Sequence, residues 1–269
     1  MPIITLLTDF GVQDEFVGVM KGVILSINPS VTVVDITHSI DPQDLVQGAY
    51  FIPYAYPYFP RETIHVVVVD PGVGSERKII ALKKNGHIFL APDNGILTLL
   101  VEDGNVEAVV QVDNPDYFLN PISHTFHGRD LFAPVSAHLS KGVGLESIGR
   151  SVDVSSLSLL SISKPYVSEA GELMGQVVHV DRFGNIMTNL RKSHLKALKP
   201  EKGRYAAGIR IENIPINKIS DSYESVLPGK LVAIFGSRGF LEFAVNCGNA
   251  SNRLNVGKGE EVRISIGKG

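Results

Sequence analysis

Residues Ile64-His-Val-Val-Val-Val69 constrain the fold more than any other stretch of this 269-residue chain. A short run this apolar and this rich in β-branched residues reads as a strand buried on both faces. A sheet that hides such a strand needs helices above and below it. The run ends at Asp70-Pro-Gly-Val-Gly-Ser-Glu-Arg77, where Gly72 and Gly74 allow backbone conformations closed to other residues. Asp70 and Arg77 therefore stand at the C-terminal mouth of a central strand, where open α/β sheets place their sites.

The residues around that strand alternate between strand and helix patterns. Ile3–Leu7 and Val31–Ile36 read as strands. Asp14–Ile27 has a helical apolar period, with Asp14 as N-cap and Asn28-Pro29 as the stop. Asp41-Pro42 reads as a second helix start, followed by Leu45, Val46, Ala49 and Tyr50 on one face. Pro53 and Pro57 end or kink that helix. Lys78–Leu82 and His87–Ala91 flank Asn85-Gly86, a strong hairpin signal. Gly95–Val101 reads as a short helix, Val106–Val112 as a strand and Asp130–Leu139 as a helix containing Pro134. The expected first domain, residues 1–152, is thus an α/β domain with a mostly parallel central sheet and one antiparallel addition. Serines spaced through Val154–Ser163 and then Lys164-Pro165 mark residues 153–170 as a linker. Beyond it the patterns are almost all strand-like: Gly175–Val180, Asn185–Leu190, Tyr205–Ile211, Leu231–Phe235, Phe240–Val245 and Glu261–Ile266. Residues 171–269 are expected to form a smaller all-β, barrel-like domain.

Formal charge is −3, from 25 basic and 28 acidic side chains, with no basic stripe or acidic tail. Nucleic acid and anionic membrane are therefore not expected partners. The opening Met1-Pro-Ile-Ile-Thr-Leu-Leu run is too short for a signal peptide and lacks a basic leader. No stretch reaches the ~20 apolar residues that span a bilayer. The single cysteine, Cys247, excludes an internal disulfide, suits a cytoplasmic location and reads as a small buried hydrophobe.

Polar residues gather after strands in four loops. Asp9, in Leu7-Thr-Asp-Phe-Gly11, has the chemistry to accept two ribose hydroxyls, or simply to cap the next turn. Asp70 and Arg77 either close their own loop as an ion pair or join His127, from Phe126-His-Gly-Arg-Asp130, in a device that activates water. The glycines near Asp70 lack the Gly-Lys-Ser/Thr of a phosphate loop. His124 and His127 lie outside any established zinc spacing, so no metal is expected. In the second half, Asp181-Arg-Phe-Gly-Asn185 reads as a turn. Phe235-Gly-Ser-Arg-Gly239 places Arg238 where it suits a carboxylate or ends in a surface turn. Tyr223 offers a flat stacking face or a core ring.

In order along the chain, Leu-Thr-Asp-Phe-Gly at 7–11, Asp-Pro-Gly-Val-Gly-Ser-Glu-Arg at 70–77, Ala-Pro-Asp-Asn-Gly at 91–95, Phe-His-Gly-Arg-Asp-Leu-Phe-Ala-Pro at 126–134, Asp-Arg-Phe-Gly-Asn at 181–185 and Ser-Arg-Gly at 237–239 resemble the S-adenosyl-L-methionine hydrolase (adenosine-forming) family. Its relatives include the fluorinase and chlorinase that use the same substrate. The resemblance implies hydrolysis of S-adenosylmethionine (SAM) to adenosine and methionine, with water oxygen attacking ribose C5′ and no metal or organic cofactor. It also implies a homotrimer, each active site lying between the N-terminal domain of one subunit and the C-terminal domain of its neighbour.

Matched residue by residue, Asp70, Arg77 and His127 would orient and activate the water. Asp9 would hold the ribose hydroxyls, and Asp181 the methionine ammonium. Ser237 and Arg238 would take the methionine carboxylate. Asn185, with backbone near Asn246 and Cys247, would read adenine, and Tyr223 would stack on it. Met187 stands where the halogenases carry a tryptophan, so the adenine pocket must be built differently. Charged Asp70 and His127, where halogenases use an aromatic and small hydroxyl residues, favour hydrolysis over halide transfer. The rivals are a SAM-dependent halide transferase, a non-catalytic SAM- or adenosine-binding protein, and a metal-dependent phosphoesterase built on Asp9, Asp14, His38 and His127.

Overall fold

A computed structural model describes residues 1–198, 207–211, 214–216 and 218–266. The chain divides into two compact units, Met1–Ser161 and Ile162–Gly269.

The first unit runs β1 (Ile3–Thr8), α1 (Phe16–Ile27), β2 (Thr32–Thr37), α2 (Leu45–Ala55), β3 (Ile64–Val68), β4 (Ile79–Lys84), β5 (His87–Pro92), α3 (Thr98–Glu102), β6 (Val106–Val112), α4 (Ala133–Ser140), α5 (Leu145–Ile148) and β7 (Gly149–Ser151). Its seven strands lie in the order β2-β1-β3-β5-β4-β6-β7. All of β3 is buried. Val66 and Val68 point into one core with Met20, Ile24 and Phe132, whereas Val67 and Val69 point into another with Ile52, Phe89 and Leu97. Helices therefore cover both faces, and each fully buried valine contributes about 1.5–3 kcal/mol.

The sheet is less parallel than the sequence implies. The pairs β2–β1, β1–β3 and β3–β5 are parallel, but β5–β4, β4–β6 and β6–β7 are antiparallel. The Asn85-Gly86 turn, with φ of 52° and 77°, folds β5 back onto β4, and the antiparallel run continues to the sheet edge.

Three helix starts differ from expectation. Glu15, not Asp14, precedes α1, and it makes no side-chain cap. Asp44, not Asp41, caps α2 by accepting from Gln47 N, because Gln43 takes a left-handed φ of 65° that no helix beginning at Pro42 tolerates. The helix expected from Asp130 starts earlier, because Asp130 lies inside a π-turn over Gly128–Phe132 that runs directly into α4. Pro53 is accommodated within α2.

The second unit contains β8 (Tyr166–Val167), β9 (Leu173–Val180), β10 (Ile186–Arg191), β11 (Ala207–Ile211), β12 (Ile214–Ile216), β13 (Ile219–Ser220), β14 (Leu231–Phe235), β15 (Phe240–Val245), α6 (Ala250–Leu254) and β16 (Glu261–Ile266). Tyr205 and Ala206, the start of the strand expected over 205–211, lie outside the described residues. The strands form one curled sheet in the order β12-β11-β16-β9-β10-β15-β14-β13, with β8 added on β9. Among the described residues the path stays open at both ends, making a partial barrel around Val177, Ile186, Ile209, Leu241 and Phe243.

Candidate active site

In the first unit the ends of β1 and β3 deliver Asp9 and Asp70 to one cavity of about 400 Å³, which His127, Phe10, Phe16 and Phe126 also line. Asp70 follows Val69, whose carbonyl accepts from Asn94 Nδ2 at 2.9 Å, fixing the strand end. The loop after it needs Gly74. Its φ is 80° and a β-carbon there would lie 2.2 Å from the carbonyl oxygen of His124. This close backbone approach docks the 70–77 loop on the segment that carries His127.

The three polar groups form a chain. Arg77 Nε donates to both Asp70 oxygens at 2.8 and 2.7 Å, and its Nη2 donates to Asp70 Oδ2. The same Nη2 lies 2.8 Å from His127 Nδ1. A guanidinium has no acceptor, so Nδ1 must accept, and the proton of the neutral ring sits on Nε2. Burial first, then the charge of Arg77, holds His127 below the usual imidazole range, although Asp70 and Asp130 pull the other way. The Arg77 and Asp70 side chains are only 9% and 5% exposed, so each charge depends on its partner.

Behind His127, Asp130 anchors the loop. It accepts from Ser123 N at 2.8 Å and from Arg129 Nε at 2.6 Å. Asp9 is oriented by the backbone of Gln43, whose N–H donates to Oδ2 at 2.9 Å. The left-handed Gln43 is thus part of the site. Phe10, Phe16 and Phe126 meet edge to face, with centroids 5.1–6.1 Å apart, and form an apolar wall beside the charged floor. His38, named above as a metal candidate, instead hydrogen-bonds Thr8 Oγ1 at 2.8 Å. Among the described residues no group of three His, Cys, Asp or Glu side chains is arranged to hold a metal.

The second unit carries the other sequence-derived candidates. Asp181 and Asn185 close the β9–β10 turn upon each other. Asp181 Oδ1 accepts from Phe183 N at 2.8 Å and Asn185 N at 2.9 Å, and Oδ2 accepts from Asn185 Nδ2 at 2.9 Å. Gly184, with φ of 81°, seats this turn against Asn249, and its carbonyl accepts from Ala250 N and Ser251 N at the start of α6. Ser237 and Arg238 occupy the tight turn between β14 and β15, and Arg238 Nη1 lies 3.9 Å from Met187 Sδ. The Tyr223 hydroxyl stands 3.5 Å from Glu242 Oε2.

Asn246 spends its backbone and amide on the preceding loop, contacting Lys230, Gly229 and Val226. Cys247 is exposed, not buried as expected. It turns the chain just past the end of β15 with a left-handed φ of 55°.

Residue types alone singled out Asp9, Asp70, Arg77 and His127 but passed over Gln43, the aromatic wall and Glu242. Phe10 and Phe126 were signalled only by lying inside the polar motifs. Glu242 was signalled by being the one acid in the otherwise apolar strand Phe240–Val245.

Residues 4–149 match the SAM hydroxide adenosyltransferase N-terminal domain and residues 175–263 the corresponding C-terminal domain. The chain is 37% identical to an (R)-S-adenosyl-L-methionine hydrolase of Salinispora tropica, over 99% of this chain and 98% of that protein. It is 28% identical to a fluorinase of Nocardia brasiliensis, over 99% and 97% of the two chains. An uncharacterized conserved protein of Thermotoga maritima, known from its crystal structure, superposes with a TM-score of 0.88 at 38% identity, covering 97% of this chain and 99% of that one. The chain belongs to the SAM hydroxide adenosyltransferase family.

Proposed function

We propose that this protein is an enzyme that hydrolyses (R)-S-adenosyl-L-methionine to adenosine and L-methionine. Water oxygen attacks ribose C5′, the C5′–S bond breaks, and its electron pair returns to sulfur, which leaves as the neutral thioether of methionine. Sulfonium is already a good leaving group, so the protein's task is to prepare the oxygen nucleophile. The observation that carries this reading is the Asp70–Arg77–His127 chain on the floor of a cavity that also holds Asp9.

With Nδ1 held by Arg77, His127 presents Nε2–H as a donor to the attacking oxygen. Asp70 is then the member of the chain with acceptor capacity left for the water's proton. Arg77 fixes both partners and offsets the negative charge that gathers on the oxygen. Placing the oxygen behind C5′ contributes the rest through proximity.

In this reading Asp9 binds the ribose hydroxyls, Asp181 the methionine ammonium, and Ser237 with Arg238 the methionine carboxylate. Asn185, Tyr223 and backbone near Asn246 and Cys247 receive adenine. Catalysis needs no metal or organic cofactor. The active form is a homotrimer whose sites combine the N-terminal domain of one subunit with the C-terminal domain of the next. A cytoplasmic enzyme agrees with the lone, exposed Cys247.

Incubation with each sulfonium epimer in chloride buffer, followed by chromatography, tests the reading. Adenosine and methionine are expected from the R epimer. A 5′-chloro nucleoside would identify a halide transferase instead, and binding without product would identify a SAM-binding protein.

A further inference from the structure

Glu242 interrupts the apolar pattern of β15, and its position gives it a use. In register it lies opposite Met187 on β10 and Ile234 on β14, while its neighbours Leu241 and Phe243 point into the core. Its carboxylate packs over Gly236, where an added β-carbon would come within 2.2 Å of it. Gly236 thus leaves space for an acid directly beneath the turn bearing Ser237 and Arg238. Arg238 reaches the same spot from above, since it contacts Met187, the cross-strand partner of Glu242. Burial and the charge of Asp181 raise the Glu242 carboxyl above its ordinary range, against the opposing pull of Arg238. Asp181, Arg238 and Glu242 therefore sense one another.

Hydrogen-bond capacity decides what Glu242 does. A carboxylate has about four lone-pair sites, and Asp181 gives three of them to its own turn. An α-ammonium brings three donors, which Asp181 alone cannot satisfy. We propose that Glu242 is a second carboxylate for the substrate's α-ammonium, shared with Asp181, while Arg238 takes the α-carboxylate. This rests on the hydrolase reading only for the identity of the ligand.

The test is calorimetric binding of S-adenosyl-L-homocysteine and of its analogue lacking the α-amino group, to the wild-type protein and to Glu242→Gln. Neither titration needs turnover, and adenosine release from SAM is assayed separately, so failure of the hydrolase reading is recognised on its own. The wild-type protein is expected to prefer the amino compound by about tenfold or more. Glu242→Gln should lose most of that preference while holding the deamino compound within about twofold, and Glu242→Asp should recover part of it. Equal weakening of both compounds by Glu242→Gln, no weakening of either, or a wild-type protein indifferent to the amino group would overturn the assignment.

Discussion

Arg77 can only donate, so its bond to His127 Nδ1 sets the tautomer of the imidazole and leaves Nε2–H as the donor in the proposed reaction. His127→Ala should lower kcat by roughly a hundredfold with a modest change in KM, read from steady-state kinetics. Protonation would place an imidazolium against the Arg77 guanidinium. Because His127 titrates below the ordinary imidazole value, kcat/KM should hold level through neutral pH. It should then fall on the acid side of about 6.5, a limb that His127→Gln should remove. Asp70→Ala would strand the nearly buried Arg77 charge and should cost about 3–5 kcal/mol in urea unfolding as well as activity. The sequence made Asp70, Arg77 and His127 legible because each stands in a glycine-marked loop after a strand or before a helix. The tautomer was not legible, since it depends on a bond between residues 50 positions apart. Cys247 is exposed against the habit of its residue type, because it occupies a left-handed turn that composition does not reveal.

Elements set these residues in place through backbone approaches. Gly74 lets the loop after β3 touch the backbone of His124. Gly74→Ala should push the two segments apart and reduce turnover by more than about tenfold, at a cost of about 1–3 kcal/mol in strain. Strand β3 also carries His65, which is fully buried, bonded to Thr5 Oγ1 at 2.7 Å and lowered to about 3 by burial and then by His87. The unfolded chain binds this proton near pH 6.5 while the folded chain holds the imidazole neutral to about 3, so protonation favours the unfolded state as pH falls through that window. Stability should drop by about 1.4 kcal/mol per pH unit over that window, and His65→Gln should flatten the slope in urea titrations. Periodicity found β1, β3, β6, β14, β15 and β16 to within a residue or two. It could not find the strand directions of β4–β6–β7, because β6 and β7 are joined to their neighbours by long connections with no hairpin turn to mark antiparallel pairing.

For the whole molecule, Asp9, Asp70, Arg77 and His127 belong to one compact unit, and Asp181, Arg238 and Glu242 to the other. If each site joins units from two subunits of a cyclic trimer, a random one-to-one mixture of His127→Ala and Arg238→Ala chains should regain about a quarter of wild-type activity. Sites contained within one chain would give only the residual activities of the two variants. In the proposed reaction, water held by the Asp70–Arg77–His127 chain attacks C5′ directly. Single-turnover hydrolysis of SAM in ¹⁸O-water, with mass analysis of the adenosine, tests this most directly. The expected product carries ¹⁸O at its 5′ oxygen from the first turnover. Unlabelled adenosine in that turnover would mean that a protein carboxylate, not water, made the bond, and would contradict the account.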